Sequence, residues 1–105
     1  MGGRGTGSGF DSWKSTLQKM AKQGKMPGTI VGNRAQQAMV LEEIDKLYPM
    51  PQVPGARVSY SDDAVWVAYN SHTWRGSLPS GTAASDAEKS GALKKLLAYI
   101  VKQQG

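Results

Sequence analysis

The chain contains no cysteine and a single histidine among its 105 residues. Without cysteine it has no disulfide framework, no thiolate metal site and no Cys–His nucleophile. The histidine, His72, lies in a predicted hairpin turn, and no motif places a serine beside it for catalysis. The adjacent acids Asp62 and Asp63 lack the ligand number of a calcium loop. We therefore expect no catalytic site, no metal site and no cofactor, and predict that the protein is not an enzyme.

Long apolar runs are also missing. No apolar stretch approaches the length needed to span a membrane. The N-terminal charge is not followed by the hydrophobic region of a secretory signal, so no such signal is predicted. Residues 1–10 are rich in glycine and are predicted to form a disordered tail. Residues 11–105 are predicted to form a single domain. With no cysteine and no membrane segment, we expect a cytoplasmic protein without a membrane partner.

Acidic residues are scarce in the first third of the chain. Residues 1–34 contain one acidic residue, Asp11, and six basic residues, whereas residues 35–105 contain seven of each kind. The net charge of +5 therefore belongs entirely to the front of the chain. Because a cationic segment attracts polyanions, nucleic acid or an acidic protein surface is the first partner class to consider.

Apolar residues at helical spacing predict three helices, and the predicted ranges are 11–24, 33–48 and 85–103. The first helix is basic and is expected to end at Gly24. Asn33 with Gln36, and Ser85 with Glu88, have the spacing of a capping box at the start of the other two helices.

Residues 56–78 are rich in Val, Tyr, Trp and Thr and predict a three-stranded meander. A turn at Asp62 and Asp63 would pair Val58 with Val67, and a turn at Ser71 and His72 would pair Val67 with Gly76. Both registers place apolar residues on a single sheet face. The order α-α-β-β-β-α then predicts an α+β fold, a three-stranded antiparallel sheet with the helices packed on one face.

The opposite sheet face is the first candidate binding site. The predicted register forms two neighbouring rows, which are Arg57, Ala68 and Arg75 and then Ser59, Trp66 and Ser77. A tryptophan beside two arginines, with no acid on that face, suits unstacked bases and their phosphates. Two alternatives remain open: the first helix or the following connector covers Trp66, or Arg57 stacks on Trp66 as a solvated cation–π pair.

The basic front of the chain is the second candidate site. Its cations could follow a phosphate backbone, or they could simply form a solubilising helix face. The predicted contacts are Lys14, Lys19, Lys22, Lys25 and Arg34.

The element order from Asn33 to Gln103, helix–three strands–helix, resembles the double-stranded-RNA-binding domain. The resemblance implies the same α+β fold. That family begins its last helix with Lys-Lys-x-Ala-Lys, where this chain has Ser85-Asp86-Ala87-Glu88-Lys89, so only Lys89 matches as a phosphate contact. The family's Gly-Pro-x-His element is replaced in the first hairpin by Ser61-Asp62-Asp63. These departures argue against conventional binding of duplex RNA.

The opening Met1-Gly2-Gly3-Arg4-Gly5 is similar to the glycine-rich starts of small bacteriophage and prophage proteins. Our leading hypothesis is a small non-enzymatic protein, phage or prophage encoded, that binds single-stranded or structured nucleic acid in the host cytoplasm. The alternative is a phage-encoded inhibitor or adaptor that binds a host defence protein, as anti-CRISPR and anti-restriction proteins do.

Overall fold

The computed structural model describes residues 8–28, 30, 32–79 and 83–104. Three helices and three strands follow the predicted order, so the α+β fold with the element order α-α-β-β-β-α is confirmed. The elements are α1 Ser8–Lys22, α2 Arg34–Leu47, β1 Arg57–Tyr60, β2 Ala64–Tyr69, β3 His72–Ser77 and α3 Asp86–Gln104. Within the described ranges, no helix is both long enough and apolar enough to cross a membrane.

Helix α1 begins at Ser8, before the predicted start at residue 11. The last residues of the predicted disordered tail are therefore helical, and the rest of that tail, residues 1–7, lies outside the described residues. A polar capping residue such as Asp11 or Ser12 favours a helix start but does not require one. The helix can therefore begin on the N-terminal side of these two residues. The end of α1 agrees with prediction, because Lys25 N donates to Met20 O (2.8 Å) beside Gly24, whose φ is +74°.

Both predicted capping boxes are present. The Asn33 side chain accepts a hydrogen bond from Gln36 N (2.9 Å), and Asn33 N donates to Gln36 Oε1 (2.9 Å). Ser85 N donates to Glu88 Oε1 (2.9 Å), and Glu88 N donates to Ser85 Oγ (3.2 Å). Each box satisfies two main-chain groups at a helix start, which fixes where α2 and α3 begin.

The sheet order is β1-β2-β3 with antiparallel pairing throughout. The predicted pairing of Val58 with Val67 in the first hairpin is confirmed. The predicted second register is wrong, because Val67 pairs with Trp74 and Val65 pairs with Gly76. The shift is two residues, so each side chain stays on its predicted face.

The turn chemistry explains this shift. Asn70 and Ser71 form the turn, with φ angles of +54° and +67°. Two consecutive residues with positive φ define the turn type whose twist matches a tight two-residue hairpin. Asparagine tolerates this conformation well, whereas Ser71 adopts it at a steric cost.

Replacing Ser71 with glycine is expected to stabilise the protein by about 0.5–1 kcal/mol, because glycine adopts positive φ without that cost. Thermal melts of the full chain would show a midpoint higher by about 4 °C. Ser59→Gly, in the middle of β1, is the control and should lower the midpoint. An unchanged or lower midpoint for Ser71→Gly would contradict the turn assignment.

The helices cover one face of the sheet. Val65 and Val67 of β2 are fully buried with Ile44 of α2 and Ile100 of α3 in one core. Helix α3 packs on β2 and β3, α2 packs on α3, and α1 packs on α2. In the part of the chain that the structure describes, α1 packs on α2 and places Leu17 in the same core, so α1 lies on the helical side of the sheet. The open sheet face is therefore not covered by α1.

Candidate nucleic-acid interface

The open sheet face carries the side chains that point away from the helices. The true register forms a central row of Ser59, Trp66 and Arg75 and an adjacent row of Arg57, Ala68 and Thr73. The predicted rows, which joined Arg57 to Arg75 through Ala68, are wrong because β3 is shifted by two residues. The correction brings Arg75 directly opposite Trp66.

Arg75 stacks on Trp66. The guanidinium carbon lies 5.7 Å from the centroid of the indole ring, within the range of a cation–π interaction. Trp66 Nε1 donates to Ser61 Oγ (3.1 Å), and Arg75 Nη1 donates to Ser77 Oγ (3.1 Å). The cation–π pair that we considered for Arg57 thus forms with Arg75, and hydroxyls on either side orient both partners.

Asp63, in the β1–β2 turn, also reaches this face. Arg75 Nη2 lies 3.4 Å from Asp63 Oδ2, and both side chains are largely exposed to solvent. The prediction of an acid-free face is therefore wrong. Alternation along the strands could not reveal this contact, because Asp63 lies in the turn. An exposed ion pair of this kind contributes about 0–1 kcal/mol, so it can exchange for another anion.

Arg57 provides the other cation of the open face. It is exposed in the row next to Trp66 and forms no ion pair with any residue that the structure describes. Its position on the edge strand β1 leaves the guanidinium accessible from solvent. Arg57, Trp66 and Arg75 therefore share the open face, where Arg75 is paired with Asp63 and Arg57 has no ion pair among the described residues.

The lysines of α1, together with Lys25 just after this helix, lie on the helical side of the sheet. Lys14 Nζ is 3.7 Å from Glu43 Oε1 of α2. Lys19, Lys22 and Lys25 are exposed and form no ion pair within the described part of the chain. Since α1 packs on α2 on the helical side of the sheet, the structure does not bring these lysines together with Trp66.

Arg34 has a structural role. Its Nη1 and Nη2 donate to Glu88 Oε2 (2.7 Å) and Oε1 (3.3 Å), which joins the start of α2 to the start of α3. The Arg34 side chain is 28% exposed and that of Glu88 is 5% exposed. The charge of Arg34 is thus matched inside the fold, and we remove it from the candidate interface.

The environment of Glu88 keeps it ionised. Burial alone would raise the pKa of its carboxyl group. Hydrogen bonds from the Ser85 main chain and from Arg34 outweigh this effect and hold the pKa of Glu88 below its usual value.

Two other contacts involve residues considered from the sequence. Lys89, which matches the RNA-binding family's phosphate contact, places its Nζ 5.6 Å from the Tyr60 ring centroid. His72 lies edge-on to Trp74 with ring centroids 5.6 Å apart. The described residues contain no group of three acidic or histidine side chains that could hold a metal ion.

No protein-family model, curated protein or solved structure matches this chain.

Proposed function

We propose that the protein binds single-stranded nucleic acid on the open sheet face, without catalysing a reaction. The observation that carries this proposal is the Trp66 ring, partly exposed on a face that α1 leaves uncovered and flanked by Arg75 and Arg57. Every base has an aromatic face that can stack on an indole ring, and guanidinium groups bind phosphate. This combination favours an unpaired strand over a duplex, whose bases are already stacked.

Arg75 becomes available to a phosphate when that phosphate replaces the Asp63 carboxylate beside the guanidinium. Its contact with Asp63 is long at 3.4 Å and exposed. A phosphate that approaches the Trp66 ring edge can replace Asp63 at a small free-energy cost. Arg57 needs no such exchange and provides the initial attraction on this face.

The lysines of α1 and the adjacent Lys25 act at longer range in this proposal. Lys19, Lys22 and Lys25 contribute to the net charge of +5 and raise the rate at which a polyanion encounters the protein. Because they lie on the helical side, a short strand on the open face does not contact them. A longer strand that wraps around the sheet edge would contact both surfaces.

Replacing Trp66 with alanine is expected to weaken binding of a short single-stranded oligonucleotide about 5- to 150-fold, since stacking contributes about 1–3 kcal/mol per base. Fluorescence anisotropy of a labelled, mixed-sequence oligonucleotide at low salt measures the affinity. Trp66→Phe retains a stacking ring and should recover most of the affinity. Trp74→Phe, on the helical side of β3, is the matched control. Equal affinity for the native protein and Trp66→Ala would contradict the proposed site.

The alternative target is a protein, as expected for a phage-encoded inhibitor or adaptor that acts on a host defence protein in the cytoplasm. One observation favours it: Glu88 and Asp63 neutralise two of the cations that the sequence offered to nucleic acid, Arg34 and Arg75. Absence of saturable oligonucleotide binding at low salt would select this alternative.

A further inference from the structure

A groove lies between α3 and the free edge of the sheet, and it meets the Trp66 surface only at Arg75. Its volume is about 680 Å³, which is in the size range of ligand-binding clefts. The lining residues that the argument uses come from β3, the segment after it and α3, and are Trp74, Gly76, Leu78, Lys95, Leu96 and Tyr99. Ile30, and Gln37 and Leu41 of α2, also line the groove. Trp74 and Leu96 make its lining largely apolar.

Glycine at position 76 gives the groove its floor. A Cβ atom at this position would lie 3.0 Å from Val65 Cγ1 and 3.5 Å from Leu96 Cβ. The missing side chain therefore lets α3 approach the sheet closely. Gly76 therefore lines the groove with its main chain alone.

The main chain of β3 is open along this groove. In the part of the chain that the structure describes, β3 pairs with β2 only. Leu78 N donates to Asp63 O (2.8 Å), and pairing alternates along an antiparallel ladder, so His72, Trp74 and Gly76 bond to β2. The N–H and C=O groups of Thr73, Arg75 and Ser77 then point to the free edge. Arg75 and Ser77 also line the groove, which extends it to that edge.

Lys95 supplies a charge that no described residue matches with an ion pair. It lines the groove and forms no ion pair with a described residue, whereas its neighbour Lys94 is held 3.2 Å from Asp45 Oδ1. Burial lowers the pKa of Lys95, so a carboxylate at this position would recover interaction energy that desolvation removes.

We propose that the groove binds an extended acidic segment of a partner protein as a fourth strand, antiparallel or parallel to β3. The segment hydrogen-bonds to the main chain of Thr73, Arg75 and Ser77. Its alternate side chains enter the groove, where apolar ones contact Trp74 and Tyr99 and one carboxylate contacts Lys95. Main-chain pairing supplies affinity and the groove supplies selectivity, as in other strand-addition complexes.

Selection from a display library of short random peptides, with the full-length chain as bait, tests this proposal. The selected peptides are expected to carry Asp or Glu and apolar residues at alternate positions. A fluorescein-labelled selected peptide should bind Lys95→Glu about tenfold more weakly than the native chain, since a close charge pair contributes at least about 1.5 kcal/mol. Lys102→Glu makes the same charge change at an exposed position of α3 and should leave affinity unchanged.

Three further measurements distinguish a lost contact from a misfolded variant and locate the bound peptide. Circular dichroism establishes that Lys95→Glu is folded, and Lys95→Gln, which removes the charge without reversing it, should also weaken binding. Amide hydrogen exchange should slow at Thr73, Arg75 and Ser77 when the peptide binds. The proposal is overturned by a failure to enrich any peptide, by equal binding to both charge-reversed variants, or by bound peptide without protection of these amides.

Discussion

Replacing Gly91 with alanine is expected to destabilise the protein by about 3 kcal/mol, the upper end of the usual cost of overpacking a core, or to prevent folding. Gly91 is buried in α3 where that helix crosses α2. A Cβ atom built on Gly91 would collide with the main-chain carbonyl of Leu41, well inside the 3.0 Å limit for real Cβ contacts. The obstacle is helix backbone, which cannot rotate away as a side chain can, so the two helices must move apart.

Moving α2 away from α3 would disrupt the packing of the core, because Leu41 and Ala92 are packed beside this contact. Urea unfolding of the full chain measures the change in free energy. Gly28→Ala is the matched control, since a Cβ atom there meets no atom within 4 Å. If Gly91→Ala were as stable as Gly28→Ala, the close packing of α2 on α3 would be wrong.

Replacing Glu88 with alanine is expected to cost about 3–5 kcal/mol, because it leaves the partly buried Arg34 without its anion. The same change opens the capping box at Ser85 and so removes a stabilising contact from the start of α3. Asp86→Ala is the matched control, since Asp86 is an exposed acid in the same helical turn. It should cost less than about 1 kcal/mol. Equal costs for the two variants would contradict the role of the Arg34–Glu88 pair.

The pH dependence of stability provides a second measure of this pair. The folded pKa of Glu88 is lowered from its ordinary value of 4.5. Its stabilising contribution is therefore complete above pH 4.5 and is lost as the pH falls through the lower, folded value. Urea unfolding at a series of acidic pH values should show a steeper loss of stability for the native chain than for Glu88→Ala.

Local sequence signals predicted the fold because they act over a few residues. The capping pairs of α2 and α3 lie three residues apart, and Gly24 marks the end of α1 directly. The first hairpin register followed from apolar alternation around Asp62 and Asp63. The second register failed because alternation is unchanged by a shift of two residues, and only the preference of Asn70 for positive φ separates the two turns.

The candidate site was less predictable because its pairings join distant residues. The alternation of side chains along the strands placed Arg57, Trp66 and Arg75 on one face. The corrected register decides which arginine stacks on the Trp66 ring. The contact between Arg34 and Glu88 spans 54 positions and depends on how α2 meets α3. No local pattern indicates such a contact, so Arg34 looked like a free cation in the sequence.

Mapping a single-stranded oligonucleotide onto the protein tests the central claim most directly. Amide and indole resonances of isotope-labelled full-length protein would be followed by NMR during titration at low and at moderate salt. We expect saturable shifts at the Trp66 indole, Arg57 and Arg75, with affinity that falls as salt rises. Shifts confined to the lysines of α1, or no saturable shift at low salt, would contradict the account.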